Sequence, residues 1–280
     1  MKARESKNSK KLFLFIAAAI VLIGGIVFAV FSKGTKEEKV PVLMYHHLLK
    51  EKEKNENPKF KNMDSILSVE TFEKQMKYLA DNGYKTLTLE EFEGFVKHKK
   101  KLPDKSVLII FDDGWKSNYV YAYPILKKYK MHAASFPITS KLKNEEEKFD
   151  AKQLQFLSKL DIKKMKDTFE FGSHSHNLHN EISKGKVDFV TKPIADVKKD
   201  IELSKNALNT KYFCYPFGAY DENSIKLLKE LGFHLAFTTN AGYARPDSKP
   251  LEVNSFVMNP QMNMDIFADI VSGKYEEVKK

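Results

Sequence analysis

A chain of 280 residues with 42% apolar and 12% aromatic residues can build one sizeable core plus a short extra segment. Its formal charge of +10 suits anionic surroundings, but the lysines are spread along the chain instead of interleaved with aromatics, so no nucleic-acid module is present. The single cysteine, Cys214, excludes an intrachain disulfide and a cysteine-based zinc knuckle.

Residues 12–31 are twenty positions without a charge, the length of a membrane-crossing helix. Five basic residues (Lys2, Arg4, Lys7, Lys10, Lys11) and one acid, Glu5, precede them. The positive-inside rule therefore holds residues 1–11 in the cytoplasm and sends the rest outward. A cleavable signal peptide is the competing interpretation. The run is longer than a usual signal h-region and no Ala-x-Ala site follows, which favours an uncleaved anchor. Residues 32–39 then read as a charged linker, and 40–280 as an extracellular domain.

Residues 40–45 predict a buried strand running into His46 and His47, and the charged stretch 50–61 predicts a surface loop. Ser68 is placed to cap a helix with Phe72, Met76 and Leu79 on one face, stopped at Asn82-Gly83. A short strand at 84–87 and a helix at 89–97 lead to VLIIFDDGW, residues 107–115. That apolar run reads as a strand buried on both faces. A helix over 119–129, a strand at 133–138, a helix capped by Asp150 and a strand at 169–172 come next. Beyond them lie a helix at 194–209 with Ile194, Val197, Ile201 and Leu208 inward and a strand at 213–217. The last elements are a helix at 221–231 with Ile225, Leu228 and Leu231 inward, strands at 233–238 and 256–258, and a helix at 264–271. This alternation predicts an α/β fold of right-handed βαβ units, whose functional residues gather where strands end.

Such ends carry the chemistry-bearing residues. Asp112 and Asp113 close the central strand, and successive residues of a strand point to opposite faces, so one can hold a metal while the other moves a proton. His174, His176 and His179 follow a Gly-Ser turn at another strand end. Two imidazoles and a carboxylate with an open position make a catalytic site of the zinc type. Spacing alone leaves open which two histidines and which aspartate are the ligands.

The motifs IIFDDG, GSHSHNLH and CYPFG, in this order, resemble those of the polysaccharide deacetylases, the NodB-homology or carbohydrate esterase 4 family. The closest resemblance is to the subgroup acting on poly-β-1,6-N-acetylglucosamine, the intercellular adhesion polysaccharide of biofilms. It implies a distorted (β/α) barrel, preceded here by the transmembrane helix, and hydrolysis of N-acetyl groups with release of acetate. Peptidoglycan or chitin-like oligomers are alternative substrates, and a non-catalytic glycan-binding protein is the alternative class. Residue by residue, the resemblance implies Asp112 as general base and Asp113, His174 and His179 as metal ligands, with His176 structural or supporting. His46, in the Tyr45-His46 pair, becomes the general acid, with His47 as its competitor. The Phe217 backbone N–H becomes the oxyanion donor, and Trp115, Tyr215 and Phe217 become contacts for the sugar. The expected cofactor is Zn2+, with Co2+, Ni2+ or Mn2+ also fitting. The wider family's Arg in the third motif is replaced by Cys214, which leaves Arg245 as the candidate to orient Asp112.

Overall fold

The computed structural model describes residues 38–183 and 185–276, so the apolar run at 12–31 lies outside the described residues. Among the described residues no helix is long and apolar enough to cross a membrane. The chain opens with β1 (Val42–Tyr45) and β2 (His47–Leu49). Where a loop was expected from residue 50, a short helix α1 (Glu51–Glu56) forms. It buries nothing and is held at its start, where the Lys50 N–H donates to Glu53 and the Glu51 N–H to Glu70. Strand β3 (Ile66–Ser68) pairs in parallel with β2. The Ser68 hydroxyl then accepts the Thr71 N–H and caps α2 (Val69–Asp81), whose Phe72, Met76 and Leu79 are buried as their spacing predicts.

Strand β4 (Lys85–Thr86), helix α3 (Leu89–His98) and the central strand β5 (Ser106–Asp113) follow. The helix expected from 119 begins as a π turn over Asn118–Ala122, and regular α4 (Tyr123–Lys128) starts one residue before Pro124. Proline is tolerated there because first-turn N–H groups have no partner within the helix. After β6 (Ala133–Pro137), Asp150 does not start a helix. Its carboxylate is taken by the Lys152 N–H and the Gln153 amide in a local turn. The chain beyond it runs extended, with the Leu157 N–H on the Gly114 carbonyl and the Lys116 N–H on that of Gln155. Ser158 and Asp161 form the capping box instead, for α5 (Lys159–Met165).

The remaining elements are β7 (Phe169–Phe171), β8 (Glu181–Ser183), β9 (Lys186–Val187), α6 (Asp188–Thr191) and α7 (Ile194–Leu208). They continue with β10 (Tyr212–Cys214), α8 (Glu222–Glu230), β11 (Leu235–Phe237), β12 (Phe256–Val257) and α9 (Met264–Ser272). On α7, Val197 and Ile201 are buried, but Ile194 is 52% exposed at the helix start. On α8 the buried pair is Leu227 and Leu228, so the inward face is rotated from the expected one. The strand expected to reach 217 ends at Cys214, because Pro216 lacks an N–H and Phe217 and Gly218 adopt positive φ.

Six parallel strands form the main sheet, in the order β12-β1-β5-β6-β7 with β4 alongside the start of β5. Single bridges extend it around a barrel: Ser173 to Phe213 links β7 to the β10–β11 pair, and Phe237 to Val253 leads back towards β12. Alternate residues divide between two cores. Met44, Leu108, Ile110, Phe136, Cys214 and Phe237 share one cluster, and Leu43, Tyr45, Ile109 and Phe111 pack with α2 and α9 in another.

Buried Glu93 ties α3 to the start of β10 and the approach to β11. It accepts hydrogen bonds from His234 Nδ1 (2.7 Å), Tyr212 OH (3.0 Å) and Lys211 Nζ (2.9 Å). Burial pushes its carboxyl up, but the bonds from Lys211, His234 and Tyr212 outweigh that and hold it at about 2, below its ordinary 4.5. A carboxyl lowered in this way stabilises the fold above its unfolded pKa and loses that contribution as pH falls towards the folded value. Glu93→Gln is therefore expected to cost about 1–3 kcal/mol at neutral pH. In urea unfolding at stepped pH, the gap between wild type and variant should close between pH 4.5 and about 2.

Candidate metal centre and active site

The alternation of β5 sets the aspartates. Leu108 and Ile110 face the barrel cluster and Asp112 continues that side, whereas Asp113 has φ 69° and turns out of the strand. Gly114 follows with φ 77°, and a Cβ there would lie 2.4 Å from that of Pro137. On β7 the chain leaves the sheet at Gly172, where a Cβ would lie 2.1 Å from Cε1 of Phe136. The histidine loop starts from this close contact, with Ser175 also in the left-handed region at φ 69°.

These turns bring Asp113, His174 and His179 together. Oδ1 of Asp113 lies 3.5 Å from Nε2 of His174 and 3.2 Å from Nε2 of His179. Nδ1 of His174 is bonded to the Cys214 carbonyl at 2.8 Å, an arrangement that makes Nδ1 the protonated nitrogen and leaves Nε2 free as a donor atom. Trp115 Nε1 donates to the other Asp113 oxygen at 2.9 Å, and Cys214 Sγ donates to Oδ2 of Asp112 at 3.1 Å. Each aspartate thus has one oxygen anchored and one buried with no hydrogen-bond partner; Nδ1 of His46 is unpaired in the same way. Unsatisfied buried polar atoms concentrated at one place mark a site built to receive something.

Among the described residues, two groups of side chains come within ligand distance of one another: Asp113, His174 and His179, and Asp112, His174 and Cys214. Burial and the neighbouring carboxylates hold the Cys214 thiol well above its ordinary pKa, so it stays a protonated donor and not a thiolate ligand. The first group fits a divalent cation, with two free imidazole nitrogens and one unpaired carboxylate oxygen facing the same point. Burial raises the Asp113 carboxyl, but the close imidazoles of His174, His46 and His179 outweigh it, leaving the group far below its usual range. Burial, with the adjacent His174 acting in the same direction, lowers His179 to about 4, so it is a neutral, metal-ready imidazole at neutral pH. Asp112 moves the other way, since burial raises its pKa more than His174 and His46 lower it.

Other expected site residues take different places. His176 is turned away, with Nδ1 against Thr139 Oγ1 at 2.9 Å. His47 binds Ser117 through Nδ1 at 2.7 Å and stacks on Trp115, and burial lowers it to about 4. Trp115 lies between His47 and Phe156, with ring centroids 4.5 Å apart on the Phe156 side. Phe217, on a 3-10 turn with φ 56°, stacks at 4.0 Å on His179 and keeps 45% of its surface open. Tyr215, expected as a sugar contact, is fully buried with its hydroxyl on the Leu251 carbonyl and offers no surface to a ligand. Arg245 does not supply the expected bond to Asp112. Its Nη1 donates to the Tyr243 carbonyl, and Cys214 holds the aspartate. Sequence reasoning missed Ser117 and Phe156, which no local motif marks.

The fold and site define a class: a parallel barrel with a carboxylate and two imidazoles converging at its strand ends, matched to one divalent cation. A profile of the polysaccharide deacetylase family matches residues 99–236. The Bacillus subtilis protein YxkH, named as a polysaccharide deacetylase, is 32% identical over 242 residues, covering 84% of this chain and 77% of that one. The poly-β-1,6-N-acetyl-D-glucosamine N-deacetylase of Staphylococcus aureus is 35% identical over 190 residues; the match spans 65% of this chain and 64% of the relative's length. Among solved structures, a Streptococcus pyogenes deacetylase, PplD, in complex with acetate superposes with a TM-score of 0.72 at 25% identity, covering 84% of this chain and 99% of that one. IcaB from Ammonifex degensii superposes with a TM-score of 0.69 at 27% identity, covering 84% and 96%. The chain belongs to the polysaccharide deacetylase family and has its NodB-type α/β fold.

Proposed function

We propose that the chain is a metal-dependent N-deacetylase of N-acetylglucosamine polysaccharide, with poly-β-1,6-N-acetylglucosamine as its substrate. The observation that carries this reading is the convergence of Asp113 Oδ1, unpaired and buried, with Nε2 of His174 and His179, beside the second unpaired carboxylate of Asp112. The 35% identity to the Staphylococcus aureus enzyme supports the choice of glycan. The charge-free run at 12–31, with its basic flank, supports a single-pass anchor that holds the domain outside the cell.

Asp113, His174 and His179 would hold the cation, Zn2+ by its match to one carboxylate and two imidazoles. When bound, the ion polarises the acetamide carbonyl and lowers the pKa of a water. The remaining steps fall to side chains and backbone. Asp112 takes the water's proton on its unpaired Oδ1, and its other oxygen is kept in place by Cys214. The Phe217 N–H donates to the carbonyl oxygen as negative charge develops there. His46 gives a proton to the leaving amine, so acetate and a glucosamine unit depart. Phe217 and Trp115 supply flat apolar surface beside the site for a sugar ring.

The test is acetate release from β-1,6-linked N-acetylglucosamine oligomers by the full chain with Zn2+, with chelator, and with Asp113→Asn. Release should require metal and fall by at least about 10³-fold in the variant, as for loss of an essential electrostatic group. Activity confined to peptidoglycan fragments would move the substrate and keep the chemistry. Silence on every acetylated glycan would overturn the reading.

A further inference from the structure

The loop between the two ligand histidines is held from one side by α7. Asp200 and Ser204 lie four apart, on the same helix face, among the apolar Val197 and Ile201. Both are buried. Oδ1 of Asp200 accepts the His176 N–H at 2.7 Å and Oδ2 accepts the Asn177 N–H at 2.7 Å. Ser204 Oγ lies 2.5 Å from Ser173 Oγ, which in turn accepts the Ser175 N–H at 3.3 Å. The opposite side is fixed by Thr139 and Ser140, whose N–H groups donate to the Ser175 and His176 carbonyls. Between these holds, Ser175 keeps its left-handed conformation, a strained state that persists only when surroundings enforce it.

A carboxylate on a buried helix face is costly unless fully bonded, and burial raises the Asp200 pKa even though both its oxygens are used. An apolar residue would pack there without that cost. What the carboxylate adds is a fixed position for two consecutive N–H groups lying between His174 and His179. We propose that Asp200, with Ser204 beside it, is a positioning residue for the metal centre: it sets the separation and aim of His174 and His179, and thereby the affinity for the cation. This rests on the metal-site reading above. Asp200 touches neither substrate nor metal, so its effect runs through the loop.

The test measures the Zn2+ dissociation constant of the full chain in detergent by competition with a chromophoric chelator, alongside far-UV circular dichroism. Asp200→Ala should weaken Zn2+ binding by about 10–100-fold, the range found when groups that support metal ligands are removed. Asp200→Asn, which keeps one acceptor oxygen, should weaken it less. Phe267→Leu, which loosens the packing of α9 on Tyr78 of α2, away from this loop, should bind Zn2+ as wild type does. Wild-type affinity in a folded Asp200→Ala variant would overturn the proposal. If that variant does not fold, wild-type affinity in Asp200→Asn would do so. Equal weakening in Phe267→Leu would also overturn it, by showing that general loss of stability accounts for the effect. A wild-type chain that binds no Zn2+ at all would sink the metal-site reading itself, a distinct result.

Discussion

Asp112→Asn is expected to lower kcat for acetate release by about 10²–10⁴-fold, the contribution of a positioned general base, with Zn2+ affinity unchanged. The geometry separates the two aspartates cleanly. Asp113 Oδ1 faces both imidazole nitrogens, whereas Asp112 follows the inward side of β5, with Oδ2 on Cys214 and Oδ1 unpaired. Asparagine preserves the shape and the bond to Cys214 but cannot take a proton. Steady-state kinetics on the oligomers and the chelator competition together read the two quantities. A variant with full kcat would remove Asp112 from the chemistry. Parallel losses of kcat and Zn2+ affinity would make it a ligand instead.

Asp161→Ala should destabilise the fold by about 3–5 kcal/mol, since it leaves the buried Lys116 ammonium with only the more distant Glu146 carboxylate, 4.0 Å away. Lys116 follows Trp115 and is almost completely buried, with Nζ 2.7 and 2.8 Å from the two Asp161 oxygens. The same carboxylate accepts the Ser158 N–H and hydroxyl, so its loss also opens the cap of α5. Denaturant unfolding with and without the substitution measures the cost, and a change below about 1 kcal/mol would show that Lys116 finds water on relaxation. Lys116→Met with Asp161→Leu should recover much of the loss, because apolar replacement of a whole buried pair is often neutral.

The elements that the sequence made legible are those with strong local signals. Ser68 before a helical apolar pattern, the unbroken run of β5, and the Gly-Ser turn before the histidines each specify their structure within a few residues. The misplaced start at Asp150 shows the limit. Asp150 and Ser158 are both competent caps, and what decides between them is the pairing of 155–157 with 114–116, a contact between distant segments. Tyr215 fails as a ligand contact for a similar reason: the family resemblance implied a sugar contact there, but Tyr220 and the Leu251 carbonyl claim its ring and hydroxyl. Cys214 was legible as a departure from the family pattern, yet not as a double support. Only the folded barrel reveals its thiol on Asp112 and its carbonyl on His174. Asp200 carried a faint signal, an acid on the apolar side of a helix, which gains meaning only when the loop it grips is in view.

The β10–β11 pair meets β7 through a bridge of two backbone bonds, from the Ser173 N–H to the Tyr212 carbonyl and from the Cys214 N–H to the Ser173 carbonyl, and this short junction lies beside the site. Asp112, Asp113 and His46 ride on the six-stranded sheet, whereas Cys214 and Phe217 belong to the β10–β11 side. A hydrogen-bond ladder several residues long opens as one cooperative unit; a lone bridge gives way far more cheaply. Amide exchange at 212–218 should therefore outrun that in β5 and report partial opening without global unfolding. The base and the residue that steadies it would then be parted in a fraction of molecules, making local breathing, and not melting, the first route by which heat or denaturant silences the protein.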